Sequence, residues 1–356
     1  MKTCPPFTHT LLGWFRLNGR DLPWRGVPDP YAIWLSEVIL QQTRISQGTA
    51  YWHRFMSQFP TVGDLARASE DEVLRLWQGL GYYSRARHLH EAARQIAAAG
   101  AFPSTFKTIR QLPGVGDYTA AAVASMAFGE AVAAVDGNVY RVLSRHFDLS
   151  APIDTARGKR EFALLAQSLL PADRPADFNQ ALMDFGAMVC TPRQPQCAEC
   201  PFCETCLARR SGTVLTRPVK QHTQQVSERR LTYVFILSGG QLAIHRRGAG
   251  DIWQGLWEPF NASPADGAAS AQPDAILSQL QLDGREVRLT LLAQSVLHQL
   301  THRLLLADFY RIIAPVRPQL PEDYIWVPVD ELDRYGVPRL IERMLEKALA
   351  PEPHEE

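Results

Sequence analysis

Five of the chain's six cysteines fall within residues 190–206, in the stretch CTPRQPQCAECPFCETC. No other feature restricts the fold as tightly, because thiols this crowded must share one small volume. Gaps of six, two, two and two residues separate Cys190, Cys197, Cys200, Cys203 and Cys206. Disulfide frameworks belong to oxidising compartments. The amino-terminal MKTCPPFTHTLLGWF interrupts its apolar residues with Pro, Thr and His and makes a poor signal peptide. A cytoplasmic location is therefore expected, and with it a metal centre rather than disulfides. Structural zinc usually takes two ligand pairs separated by a longer loop. Closely spaced thiolates suit the corners of an iron–sulfur cube better. Spacing alone leaves open which four of the five cysteines are ligands.

At 356 residues the chain exceeds one ordinary core, and two or three domains are expected. No run approaches the ~20 apolar residues of a membrane span. Residues 1–213 read as helical: DPYAIWLSEVILQQTR opens on Asp-Pro, a helix start, and continues apolar at helical spacing. Residues 214–228 are polar and aperiodic, a linker. From 229 to about 350 the pattern turns to strands, with LTYVFILSGGQLAIHRR a hairpin joined at Gly-Gly and VPRLIERMLEKALA a closing helix, so the second domain is α+β. Net charge is zero, with 22 Lys/Arg against 19 Asp/Glu in residues 1–213. That small basic excess permits nucleic acid as a partner without requiring it.

Two carboxylates and one turn carry the candidate chemistry. Glu37 sits among Leu35, Val38 and Ile39 in YAIWLSEVILQQT, where burial should raise its pKa and let it donate a proton near neutrality. Asp136 opens DGNVYRV, where it should cap the next helix and be kept ionised by it. A proton donor paired with a fixed carboxylate is the arrangement that breaks glycosidic bonds through an oxocarbenium-like state. In LPGVGDYTAAAVASMAF, Gly114 and Gly116 should allow a tight turn with positive φ, and the bare amides of the following helix should favour an anion.

The C-x6-C-x2-C-x5-C pattern of Cys190, Cys197, Cys200 and Cys206, together with LPGVG and VDGNVYRVLSR, resembles the endonuclease III/MutY family of DNA glycosylases. The likeness covers nearly the whole chain and is strongest over 20–206. It implies an all-α helix–hairpin–helix glycosylase core with an iron–sulfur cluster loop, followed by an α+β Nudix-like domain. Within residues 1–213 it implies a six-helix part (about 22–132) and a cluster part (1–21 plus 133–213). The implied cofactor is a structural 4Fe–4S cluster, with Cys203 a spare thiol.

LPWR and WLSEVILQQT are similar to the adenine-specific members. That likeness implies Glu37 and Asp136 as catalytic pair, with Tyr118 and Asn138 supporting the sugar and its phosphates. Arg20, Trp24, Arg25 and Gln180 would line an adenine pocket. Gln41 and Gln42 would probe the gap left by a flipped base, Gly114 and Gly116 would meet the DNA backbone, and Tyr82 would wedge beside the opposing purine unless it merely packs. Leu300, Thr301 and His302 would read 8-oxoguanine, although relatives commonly carry Phe-Ser-His there. The implied partner is double-stranded DNA containing adenine opposite 8-oxoguanine or guanine, bound by a monomer with no membrane involved.

Tyr118 stands where bifunctional relatives carry a nucleophilic Lys, which argues for a monofunctional enzyme. The rival readings are a bifunctional pyrimidine-lesion glycosylase/lyase, a nucleotide pyrophosphatase and a non-catalytic iron–sulfur DNA scaffold. The second would need a Glu-rich metal-binding helix, and no stretch after residue 250 reads as one.

Overall fold

The computed structural model describes residues 5–222, 226–264, 267–284 and 287–351. The chain forms two compact units, Met1–Arg67 with His88–Thr223, and Ala68–Arg87 with Gln224–Glu356. Among the described residues no helix is long and apolar enough to cross a membrane.

The first unit is helical. Its central helix, Pro30–Leu40, starts where Asp29 accepts a hydrogen bond from the Tyr31 amide and Pro30 supplies a helical φ. Every residue from Tyr31 to Ile39 is buried, Glu37 included. A helix that is apolar on all sides belongs inside a bundle. It packs against Ile45–Gln58 and Asp117–Phe128, while helix Pro175–Met188 packs against Pro6–Asn18, Asp117–Phe128 and Gly137–His146. These contacts bring Glu37, Tyr118, Asp136 and Gln180 to one place from four separate stretches of sequence.

The second unit contains a mixed sheet: β1 (Ser227–Ser238), β2 (Gln241–Arg246), β3 (Trp257–Glu258), β4 (Phe260–Asn261), β5 (Leu289–Gln299), β6 (Arg303–Ile313) and β7 (Tyr324–Pro328). The order is β3-β2-β1-β6-β5, with β4 on β1 and β7 on β2. The Gly-Gly hairpin forms as expected, Gly239 and Gly240 both taking the positive φ that this turn demands. β1 runs parallel to β6, Ser227 opposite Arg303 and Leu237 opposite Ile313. Leu231, Tyr233 and Phe235 face a core closed by helix Arg339–Leu349, and Val234 and Ile236 face one closed by helix Pro273–Gln279. Covering both faces explains why β1 reads as a continuous apolar run rather than an alternating one.

The division of the chain differs from the sequence boundaries in two places. Residues 68–87, read as part of the helical region, belong to the second unit. Within it Arg246 pairs with Glu70 at 2.9 Å, and the Trp257 indole donates to Asp71 at 3.3 Å. The start of the expected linker is held on the first unit: the Ile153 amide donates to the Val219 carbonyl, and the Asp154 carboxylate accepts from the Gln221 and His222 amides. An aperiodic polar stretch can be fixed by such backbone bonds without any apolar pattern to announce it.

Candidate active site

Glu37, Asp136, Tyr118, Asn138, Arg20, Trp24, Arg25, Gln180, Gln41 and Gln42 all line one cavity of about 990 Å³ in the first unit. Glu37 is 7 % exposed and accepts a 2.8 Å hydrogen bond from the Tyr118 hydroxyl. Burial pushes its carboxyl up to about 7; Asp136 adds to the rise, while the Tyr118 hydrogen bond and Arg25 oppose it. Near neutrality the group therefore exists in both protonation states, as a proton donor must. Tyr118 also lies 3.0 Å from the Met183 sulfur, and burial holds its phenol well above the usual range.

Asp136 caps helix Gly137–His146, accepting from the Asn138 and Val139 amides at 2.8 Å each, and from the Asn138 side chain at 2.7 Å. The hydrogen bonds of the cap favour the ionised form, as expected, while burial raises the pKa above the ordinary carboxylate value. Desolvation opposes a charge whatever its hydrogen bonds, and here it is the larger effect. Arg141 on the same helix donates to Asn138 Oδ1, to the Gly186 carbonyl and to the Cys190 carbonyl, each at 2.7 Å.

In the hairpin, Gly114 has φ +71°, and a Cβ there would lie 2.6 Å from His88 Cβ. Only glycine meets both demands. Gly116 departs from expectation: its φ is −91°, because it is the N-cap of helix Asp117–Phe128 rather than a turn residue. With no side chain to cap the helix, its first amides stay open to an anion. Gln41 donates to Thr119 Oγ1 at 3.2 Å, and exposed Gln42 takes a strained φ of +59°. Positive φ at a non-glycine residue on a cavity rim is the kind of strain that accumulates at functional positions.

Tyr82 lies in the second unit, 45 % exposed with φ +48°, so it is not a core residue. Its hydroxyl hydrogen-bonds that of Thr301, which occupies the turn between β5 and β6. Beside it His302 is exposed, while Leu300 packs on the sheet's core.

Cys190, Cys197, Cys200, Cys203 and Cys206 line a second, smaller cavity together with Val189, Pro195, Val214 and Arg145, and all five are free thiols. Burial pushes the Cys200 thiol up to about 11, with Cys190, Cys206 and Cys197 near enough to add to the rise. The Cys203 sulfur lies 3.5 Å from its neighbour Glu204. Phe202, between these cysteines, stacks on Phe7 at 4.8 Å and anchors the loop to the helices. Arg145 Nη1 approaches the Cys190 sulfur at 3.4 Å. Among the described residues no three His, Cys, Asp or Glu side chains converge as ligands of a single ion. Soft thiols around a largely apolar cavity, with a cation beside them, form a donor set for a thiophilic centre with separated corners.

Sequence reasoning missed Asp184, which is fully buried and grips Arg20 and Arg25. One signal was available: it lies four residues after Gln180 on the same apolar helix, as isolated among Leu and Phe as Glu37 is.

Family comparisons agree with this geometry. Residues 35–167 match the HhH-GPD superfamily base excision DNA repair protein model, and residues 232–347 match a NUDIX domain. The chain is 32 % identical to an adenine DNA glycosylase of Buchnera aphidicola subsp. Schizaphis graminum over 254 residues, covering 70 % of this chain and 73 % of that one. It is 47 % identical to human adenine DNA glycosylase over 214 residues, 57 % of this chain and 39 % of the human one. The chain thus spans about two fifths of the length of its mammalian relatives. A solved thermostable thymine-DNA glycosylase superposes with a TM-score of 0.54 at 34 % identity, over 58 % of this chain and 95 % of that one. A trapped endonuclease III–DNA complex shares the fold at 22 % identity, with a TM-score of 0.51 over 60 % of this chain and 100 % of that one.

Proposed function

Since the chain belongs to the adenine DNA glycosylase family, we propose that it removes adenine mispaired with 8-oxoguanine or guanine in double-stranded DNA, as a monofunctional enzyme of base excision repair. The observation that carries this reading is the buried Glu37 carboxyl, poised at about 7, in the same cavity as the Asp136 carboxylate. The target nucleotide leaves the duplex, at a cost of a few kcal/mol of unstacking, and enters the cavity. Glu37 delivers a proton to adenine N7 (the atom by family likeness), the C–N bond breaks, and Asp136 stabilises the oxocarbenium sugar. Tyr118 and Asn138 orient the sugar and its phosphates, and water completes hydrolysis. Arg20, Trp24, Arg25 and Gln180 hold the base. Gln41 and Gln42 probe the gap it leaves, Tyr82 wedges beside the opposing purine, and Gly114 and Gly116 admit the backbone phosphate. Leu300, Thr301 and His302 read the opposing base, with the Nudix-like second domain as the lesion reader. The protein works as a monomer in the cytoplasm, on the chromosome.

A single assay tests the whole reading. Duplex DNA carrying adenine opposite 8-oxoguanine should yield free adenine and an abasic site without strand cleavage. Excision of an oxidised pyrimidine with nicking would favour the lyase rival instead.

Cys190, Cys197, Cys200 and Cys206 would hold a 4Fe–4S cluster, whose contribution is to fix the loop structure rather than to take part in bond breaking. The purified protein should be brown, with about four irons per chain. Cys203→Ser should keep the colour, and Cys200→Ser should lose it along with thermal stability; equal bleaching by both would return Cys203 to the ligand set.

Thr301→Ala should leave excision opposite guanine within about twofold of the parent, while the preference for 8-oxoguanine shrinks by roughly tenfold, as for loss of one directed hydrogen bond. An unchanged preference would remove Thr301 from the reader.

A further inference from the structure

One buried carboxylate, bonded to two arginines of the cavity wall, has no part in the chemistry above. Asp184 is 0 % exposed and receives the Arg20 backbone amide at 3.0 Å and its Nε at 2.9 Å, with Nη2 on the same oxygen. Arg25 closes on it as a fork, Nη1 and Nη2 each at 2.8 Å, and Nη1 also donates to the Arg20 carbonyl at 2.7 Å. Burial alone would raise the Asp184 pKa, yet the hydrogen bonds from Arg25 and Arg20 hold it below the ordinary carboxylate range, so it is ionised. Two partly buried cations and one buried anion make a trio with one net positive charge. A guanidinium is planar, so fixing two of its nitrogens also fixes the third. Breaking such a trio by neutralising the anion leaves both cations uncompensated.

The trio does not stand apart from the acid. Arg25 is one of the groups acting on Glu37, favouring its ionised form. Facing Glu37 are Tyr118 from helix Asp117–Phe128, Asp136 from the start of Gly137–His146, and Arg25 from the loop before its own helix. Arg20 and Asp184 stand behind Arg25, and Arg44 lies on the same cavity wall.

We propose that Asp184 is a positioning residue: it orients the Arg20 and Arg25 guanidiniums in the cavity wall and limits the positive charge that Glu37 feels, keeping the acid protonated at working pH. This rests on the adenine-glycosylase reading of the cavity. The sign is fixed by charge. Replacing Asp184 with a neutral isostere strengthens the net cation near Glu37, favours its carboxylate and lowers the pH at which it loses its proton. Removing Arg25 does the reverse.

The test is the pH profile of single-turnover adenine excision by the full-length, cluster-loaded protein on DNA with adenine opposite 8-oxoguanine. Asp184→Asn should move the alkaline limb down by about one pH unit, and Arg25→Gln should move it up by a similar amount, each about a tenfold change in the protonated fraction. Adding Arg20→Gln to Asp184→Asn should bring the limb back toward its original place. Slower excision by Asp184→Asn with the limb unmoved would reduce the residue to a structural brace and overturn the proposal. If Asp184→Asn does not fold, Arg25→Gln decides alone: an upward shift supports the proposal and an unmoved limb overturns it. Failure of the parent protein to release adenine would refute the functional reading itself, an outcome separable from all of these.

Discussion

Glu37→Gln should slow adenine excision by at least ~10²-fold while binding to the mispaired duplex stays within a few-fold of the parent. Gln keeps the volume of the side chain and can still meet the Tyr118 hydroxyl that now sits 2.8 Å from Glu37. What it lacks is a transferable proton. The pH dependence sharpens the prediction. With its pKa raised by burial to about 7, Glu37 holds its proton below that value and loses it above. Parent excision should therefore fall with rising pH from about neutrality, toward tenfold per unit, whereas the residual rate of Glu37→Gln should be flat over the same range. Single-turnover rates at several pH values check both statements. Near-parental excision by Glu37→Gln, or a parent profile level through pH 8, would sink the acid mechanism.

Tyr118→Lys should confer an activity the parent lacks: a covalent adduct trappable by borohydride, accompanied by strand nicking. The Tyr118 hydroxyl projects into the same cavity as Glu37 and Asp136, so an amine of similar reach would face the sugar carbon and form a Schiff base. The substitution should also slow adenine release about tenfold at neutral pH, because a cation beside Glu37 favours the carboxylate and depletes the proton donor. Gain of the adduct with slower base release is the expected pair of results, read on a denaturing gel with and without borohydride. Absence of any adduct would mean that position 118 does not address the sugar.

Legibility from sequence followed the range over which each interaction acts. Cysteine spacing, the apolar surroundings of Glu37 and the cap of Asp136 are written within a few residues: the five thiols line one cavity, Glu37 is buried and Asp136 caps its helix. Gly116 was read as a turn glycine because the pattern Gly-x-Gly does not reveal which glycine bends the chain; φ at Gly114 and the N-cap at Gly116 divide those tasks. The opposing effect of burial at Asp136 was not visible because the cap is local while the burial comes from packed neighbours. Asp184 stayed hidden because its partners lie 159 and 164 residues away in sequence. The placement of residues 68–87 with the second unit escaped for the same reason: their helix, Glu70–Trp77, has an ordinary capping box at Ser69 and Glu72 and nothing local to name its neighbours.

The parallel pairing of β1 with β6 has a consequence for the growing chain. A hairpin strand finds its partner within microseconds, but Leu231 to Leu237 have their β6 partners at Ala307 to Ile313. At ~5–20 residues per second, translation leaves β1 without that neighbour for several seconds, and the Leu231, Tyr233 and Phe235 face also waits for β6 and helix Arg339–Leu349. LTYVFIL is uncharged, rich in residues that favour extended structure and free of proline, the composition of a self-associating segment. Newly made chains are therefore most prone to aggregate after β1 has left the ribosome and before β6 has followed it. A chaperone that holds the chain through that interval should raise the soluble yield more than one supplied after synthesis is complete.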